Sequence, residues 1–285
     1  MSPYMSRLQG NYHMHCYLCD GEGEPVEYVR IAKERGFAGI GFSSHAPLPF
    51  PIDWVMRRKD LGTYSRLLDD AIDEGRPDLP VFRGLEIDYV KGKNGPNRNL
   101  YPEIELDFII GSVHFVEGRS GQLRGIDGPL DLFEEGLVDG FDGDIQELVT
   151  GYYRNVRAML EEYQFDILGH IDVIQKNNEG NRFFDSSESW YRRLVLDSVE
   201  AARRNGCIVE VNTGGLARGG TALYPEAWIV DELKARNVRM MVNTDAHAPD
   251  HLGVGYDDAF SLLLGAGYQE HWLLLEEGWK SVPIE

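Results

Sequence analysis

Short apolar runs rich in β-formers alternate along this chain with stretches of helical periodicity, and nearly every such run ends on a histidine or an acid. That alternation restricts the fold strongly, because β-runs separated by helix-length segments build βα units and a parallel sheet. Residues 11–15 lead into a helix over Pro25–Arg35, which Gly36 ends. Residues 38–42 form the second run. Tyr64, Leu67, Leu68, Ala71 and Ile72 fall at i, i+3, i+4, i+7 and i+8, one apolar helical face, and Gly75 with Pro77 stops it. Residues 80–87, 108–113, 165–169, 207–211 and 238–243 read as strands three to seven. Helices are expected over 145–163, around Val195, Val199 and Ala202, around Ile229, Val230 and Leu233, and from about Asp257 onward. Residues 117–142, rich in Gly and Asp, read as a long irregular loop. The apolar run 272–275 leaves an eighth unit undecided. With no linker or internal repeat, one domain over residues 1–285 is the expectation, and that length is ordinary for a single α/β barrel.

Composition removes several function classes. Hydrophobic residues make up 42%, enough for a large core, yet no 18-residue apolar run marks a membrane span. The opening MSPYMSRLQG lacks the apolar stretch of a secretory signal, so the cytoplasm is the expected location. A net charge of −19 with no basic face argues against a nucleic-acid partner. Three cysteines do not make a disulfide scaffold. Cys16-x-x-Cys19 has no second pair to complete a zinc ribbon, and buried or loop thiols are the reading for both. The glycine patterns of a P-loop or a dinucleotide-binding turn are absent, which disfavours kinases and dehydrogenases.

In α/β barrels the chemistry sits at the carboxyl ends of the strands. Six of the eight histidines fall there: His13 and His15 after strand one, His45 after two, His114 after four, His170 after five and His247 after seven. Glu86 closes strand three and Asp245 strand seven. Side chains two apart on a strand share a face, so His13 and His15 can reach one ion, and Asp245-x-His247 repeats the spacing across the barrel. Glu86, a carboxylate among imidazoles, suits a bridge between ions, and the donor set suits zinc, iron or manganese. His251 and His271 fall outside the pattern and read as surface or supporting residues.

With those residues in place, the chain resembles the PHP (polymerase and histidinol phosphatase) family, and within it the histidinol-phosphatases. The stretches are NYHMHCYLCDG, GFSSHAPLPF, GLEIDY, IIGSVHFV, ILGHIDVI, EVNTGGLARG and NTDAHAP, running in the family's order from residue 11 to 249. The resemblance implies a distorted (β/α)7 TIM-like barrel holding two to three divalent ions. His13, His15, Glu86 and Asp245 would hold one, Glu86, His114 and His170 a second, and His45 with His247 a third. Many relatives add a histidine six residues beyond H-x-H. Gly21 stands at that position here, so Asp20 is the expected ligand and Glu22 the fallback. The likeness also points to Arg218 and Lys176 as phosphate holders and places Ser44 beside the substrate. For Arg124 and Arg182 a solvated surface charge is the favoured reading. Glu147, Asp172 and Asp127 are open candidates for holding an ammonium group.

The implied reaction is hydrolysis of L-histidinol phosphate to histidinol and phosphate, in histidine synthesis, by hydroxide that the ions make available near neutral pH. Asp245 and His247 are candidates for protonating the leaving alkoxide, and a metal-bound water is an equal candidate. The rival readings are a phosphoesterase for another monoester or nucleotide, including a 3′–5′ exonuclease, and a metal-binding module without turnover. Amidohydrolase activity is weaker still, since those enzymes often use a carboxylated lysine after a mid-barrel strand and no lysine sits at that place here. The oligomeric state is left open.

Overall fold

The computed structural model describes residues 8–284. Residues 1–7, most of the segment read for a secretory signal, lie outside the described residues. The elements run β1 (Gly10–Asn11), α1 (Pro25–Arg35), β2 (Gly39–Phe42), α2 (Leu61–Gly75), β3 (Val81–Asp88), β4 (Phe108–Ser112), β5 (Phe115–Glu117), β6 (Leu123–Gly125), α3 (Leu130–Phe141) and α4 (Ile145–Glu162). Then follow β7 (Ile167–Leu168), α5 (Ser189–Asn205), β8 (Ile208–Asn212), α6 (Gly214–Ala217), α7 (Ala227–Ala235), β9 (Met240–Asn243), α8 (Tyr256–Gly265), β10 (Glu270–Leu275) and β11 (Gly278–Pro283). The helices start and stop where local chemistry dictates. In α1, Pro25 opens the first turn, Glu24 and Glu27 form a capping box, and Gly36 ends the helix at φ 71°.

Seven strands form one parallel sheet in the order β1-β2-β3-β4-β7-β8-β9. The sheet curls until its two edges meet, giving the distorted (β/α)7 barrel. Closure falls at the carboxyl end, where the His15 amide donates to Ala246 O (2.9 Å) and the Ala246 amide to His13 O (3.1 Å). Below that point side chains replace the ladder. Asn11 Nδ2 donates to Thr244 Oγ1 (2.7 Å), the Thr244 amide to Asn11 Oδ1 (2.9 Å) and the Tyr12 amide to Asn243 Oδ1 (2.8 Å).

The barrel has an apolar floor and a polar rim, because each inward face changes character along its strand. Ile208, Glu210 and Asn212 share one face of β8, and Gly84, Glu86 and Asp88 one face of β3. The floor packs Tyr12, Phe108, Ile110, Ile167, Ile208 and Met241. Gly41 and Gly84 flank Phe108, and a Cβ on either would lie about 2.5 Å or less from its ring, so both must be glycine.

The undecided eighth unit is not a barrel strand. Residues 272–275 lie in β10, which pairs antiparallel with β11, and the hairpin adds Leu273, Leu274 and Val282 to the floor as a plug. Tyr12 pins it from inside: its hydroxyl donates to Leu274 O (2.7 Å) and accepts from the Leu274 amide (3.0 Å), wholly buried. Tyr12→Phe strands both backbone groups without water. It is expected to lower unfolding free energy by about 1–3 kcal/mol, read as a lower urea midpoint at unchanged slope. His271 is buried in this hairpin, within 3.1 Å of Leu8 O, and is therefore neither a surface residue nor a neighbour of the site.

The second correction concerns residues 117–142. They hold the end of β5, the antiparallel partner strand β6 and helix α3, not an irregular loop. Phe133, Gly136, Leu137, Gly140 and Phe141 repeat at helical spacing and are buried, and the glycines admit the Arg124 stem. Glycine and acid content masked a regular apolar stripe. Among the described residues no helix is long and apolar enough to cross a membrane.

Candidate metal centre

The rim of the barrel gathers the other eight ligand candidates around Glu86, which is 1% exposed. Its Oε2 lies 2.9 Å from His45 Nδ1, 3.2 Å from His13 Nε2 and 3.5 Å from His15 Nε2. Its Oε1 lies 3.1 Å from His170 Nε2 and 3.6 Å from His114 Nε2. The two oxygens thus face two separate sets of imidazoles. Asp245 Oδ1 completes the first set, 3.1 Å from His15 Nε2 and 3.6 Å from His13 Nε2. His13 and His15 share a face as expected, although the regular strand ends at Asn11. Asp245 and His247 do not follow strand alternation. Asp245 takes a left-handed φ of 49°, strain that swings its carboxylate inward.

A further group lies on the His15 side. Asp20, His45 and His247 converge there, with Asp20 Oδ2 3.4 Å from His247 Nε2 and Asp20 Oδ1 3.7 Å from His45 Nε2. Gly21 explains why the aspartate, not its neighbour, reaches in. A Cβ on Gly21 would stand 2.5 Å from the His15 carbonyl carbon and 2.7 Å from the Cys16 nitrogen, so the loop packs flat on the H-x-H segment and excludes any side chain there. Glu22 joins none of the groups within ligand reach of one another.

Two carboxylates that the sequence reading passed over orient this cluster. Glu210 accepts from His13 Nδ1 (3.0 Å), the His170 amide (2.9 Å), Asn212 Nδ2 (2.9 Å) and Asn243 Nδ2 (2.9 Å). Asp88 accepts from His114 Nδ1 (2.9 Å) and the His114 amide (3.1 Å). Each fixes the proton on Nδ1 and leaves the Nε2 lone pair pointing at Glu86. The signal was an acid within a buried strand, Glu210 between two valines and Asp88 between Ile87 and Tyr89, where only a satisfied or functional carboxylate survives burial. Burial pushes the pKa of Glu86 and Asp245 up, yet His45 and His13 for the first, and His13 and Arg218 for the second, outweigh it and keep both well below the ordinary carboxylate range. His15 is lowered too, to about 3, by burial and by His247 and His45, which keeps its imidazole neutral.

These residues fit divalent ions. His13 Nε2, His15 Nε2, His45 Nδ1 and Glu86 Oε2 are buried with no hydrogen-bond partner, a costly state for polar atoms that face one another. His114 Nε2 and His170 Nε2 stand 3.2 Å apart. Ligand atoms bound to one ion at about 2.1 Å sit roughly 3.0–3.4 Å from one another, and the distances in this set, 2.9–3.7 Å, lie within a few tenths of an ångström of that range.

The cluster lies in a cleft of about 270 Å³ that Trp54, Asp127, Val173, Lys176, Arg218 and Tyr224 also line. Arg218 Nη1 is 3.2 Å from His247 Nδ1 and its Nη2 is 3.4 Å from Asp245 Oδ2. Lys176 Nζ is 3.7 Å from Asp127 Oδ2. For Asp127, burial raises the pKa but His114 and Lys176 outweigh it, so the carboxylate stays charged. Ser44 is a correction. It is fully buried away from the cleft, its hydroxyl accepting from the Cys16 amide (3.1 Å) and donating to Cys16 Sγ (3.4 Å). Being adjacent to His45, it points the opposite way. Cys16 and Cys19 are free thiols beside the site, Cys19 Sγ being 3.6 Å from His15 Nδ1. Arg182 pairs with Glu134 (2.8 Å) and Arg124 packs on α3, both outside the cleft.

The PHP domain matches residues 11–214 of this chain, well over half its length. The chain belongs to the PHP family. A histidinol-phosphatase of Bacillus subtilis is 30% identical over 264 residues, covering 86% of this chain and 96% of the relative. Two solved structures carry the same fold. A candidate histidinol phosphatase of Listeria monocytogenes superposes with a TM-score of 0.77 at 22% identity, over 88% of this chain and 99% of that one. A histidinol phosphate phosphatase of Lactococcus lactis, solved with zinc, L-histidinol and phosphate, gives 0.67 at 17% identity, over 95% and 98%. As a PHP barrel, the chain presents its histidine cluster at the carboxyl end of the sheet, where α/β barrels place their chemistry.

Proposed function

We propose that this protein is a metal-dependent phosphomonoesterase that hydrolyses L-histidinol phosphate to L-histidinol and phosphate in histidine biosynthesis. The observation that carries the reading is the meeting in one cleft of a buried, partnerless imidazole–carboxylate cluster with two cationic side chains, Arg218 and Lys176. The relationship to the B. subtilis histidinol-phosphatase along most of both chains supports the substrate.

His13, His15, Glu86 and Asp245 would hold one divalent ion, Glu86, His114 and His170 a second, and Asp20, His45 and His247 a third, zinc, iron or manganese suiting these donors. Bound there, such ions make hydroxide available near neutral pH and neutralise phosphate oxygens. Arg218 and Lys176 bind and orient the phosphate for in-line displacement. Asp245 and His247 flank the path by which the leaving alkoxide takes its proton; of the two side chains His247 is the more open to the cleft, 19% against 10% exposed.

The deciding experiment is steady-state hydrolysis of L-histidinol phosphate by metal-loaded protein beside a panel of phosphomonoesters, mononucleotides and single-stranded DNA. Preference for another member of the panel would overturn the substrate, and no turnover of any would overturn the enzyme. The Asp20 assignment has its own measurement. Asp20→Ala is expected to lose one bound ion per chain by elemental analysis after gel filtration. An undiminished metal count would remove Asp20 from the ligand set.

A further inference from the structure

The cleft holds four acids, and three of them belong to the histidine cluster. Asp20, Glu86 and Asp245 each face imidazole nitrogens within 4 Å. Asp127 does not. Among the described residues its only charged partner at that range is Lys176, 3.7 Å away, and its side chain is 31% exposed to the cleft. The backbone on both sides fixes it in place. The amide of Ile126, itself fully buried, donates to His114 O (3.1 Å), and Asn177 Nδ2 donates to Gly128 O (3.1 Å). The carboxylate is therefore held between the β4–β5 connection that carries His114 and the segment that carries Lys176.

An acid beside a phosphate-holding lysine is a liability for a simple phosphate site, because it repels the dianion and draws the lysine away. The arrangement makes sense if the substrate brings a positive charge of its own close to its phosphate. A 2-aminoalkyl phosphate does this, with an ammonium on the carbon next to the ester-bearing one. We propose that Asp127 is the specificity-determining residue that reads this ammonium group and so selects 2-aminoalkyl phosphates over other phosphomonoesters. The inference rests on the phosphomonoesterase reading above. It also separates the three acids that sequence alone leaves open. Glu147 is engaged by Arg119 (2.9 Å) and lies outside the cleft, and Asp172 is fully buried, accepting from the Glu226 amide (2.9 Å).

The test pairs L-histidinol phosphate with its des-amino analogue, 3-(imidazol-4-yl)propyl phosphate, using metal-loaded full-length protein. Wild type is expected to favour the amine in kcat/KM by roughly 10- to 100-fold, the scale of one charge-assisted hydrogen bond. Asp127→Asn should reduce that preference to about threefold or less, with most of the loss on the amine substrate and with metal content unchanged. Lys176→Met should lower both substrates alike, since both carry the phosphate. Equal losses on both substrates in Asp127→Asn would overturn the proposal and make Asp127 a support for Lys176 or His114. If Asp127→Asn fails to fold or loses metal, wild type alone still decides, because equal kcat/KM for the two substrates also overturns it. Turnover of neither substrate by wild type would instead sink the phosphomonoesterase reading itself.

Discussion

Glu86→Gln is expected to lower kcat/KM for histidinol phosphate by at least ~100-fold at saturating metal, the largest effect of any single substitution in this site. The two oxygens of Glu86 face two imidazole sets, 2.9–3.5 Å away on one side and 3.1–3.6 Å on the other. A carboxamide keeps the shape but gives up the charge and one acceptor, so it cannot serve both sets. Its NH2 would also donate to an imidazole Nε2 lone pair, occupying the lone pair that an ion needs. The fold should survive, because the floor of Tyr12, Phe108, Ile110, Ile208 and Met241 and the hairpin plug pack independently of the rim. The measurement is kcat/KM with circular dichroism and metal content on the same preparation. Near-wild-type turnover with full metal would show that Glu86 is not the shared ligand.

The division between what the sequence disclosed and what it hid follows from range. His13 and His15 were legible because alternation on an extended backbone is a local property, and the seven barrel strands because each is a short apolar run bounded by helix signals. Asp20 was legible only by default, and the reason for its selection is tertiary, since Gly21 lies on the His15 and Cys16 backbone and leaves no room for a side chain. Glu210 and Asp88 escaped because an acid within a strand reads as an exception until the imidazoles it orients, 197 and 26 residues away in sequence, are brought beside it. Ser44 was misplaced for the converse reason. Its neighbour His45 faces the cleft, and adjacent residues on an extended backbone point apart, so proximity in sequence argued the wrong side. Helix α3 was hidden by composition, its Gly136 and Gly140 being close-packing positions against Arg124 and not loop signals.

Arg218→Ala should lower kcat/KM by roughly 10- to 150-fold, the equivalent of about 1.5–3 kcal/mol for a charge-assisted contact to phosphate. The arginine caps the short helix α6 at the end of β8, and its guanidinium meets Asp245 and His247 at 3.4 and 3.2 Å. Gly214 makes the approach possible, since a Cβ there would stand 2.9 Å from Nη2. The guanidinium thus reaches the rim with donors to spare, and a phosphate held beside Asp245 would be within its fork. Because the same group also touches a proposed ligand, loss of activity alone does not separate phosphate binding from upkeep of the metal centre. Metal content separates them: it should be unchanged in Arg218→Ala while inhibition by free phosphate weakens in parallel with kcat/KM. Arg218→Lys should recover only part of the loss, since it restores the charge but not the bidentate geometry. Were metal lost with the arginine, its role would be to position Asp245, and were kcat/KM unchanged, Lys176, which lines the same cleft, would be left as the phosphate holder.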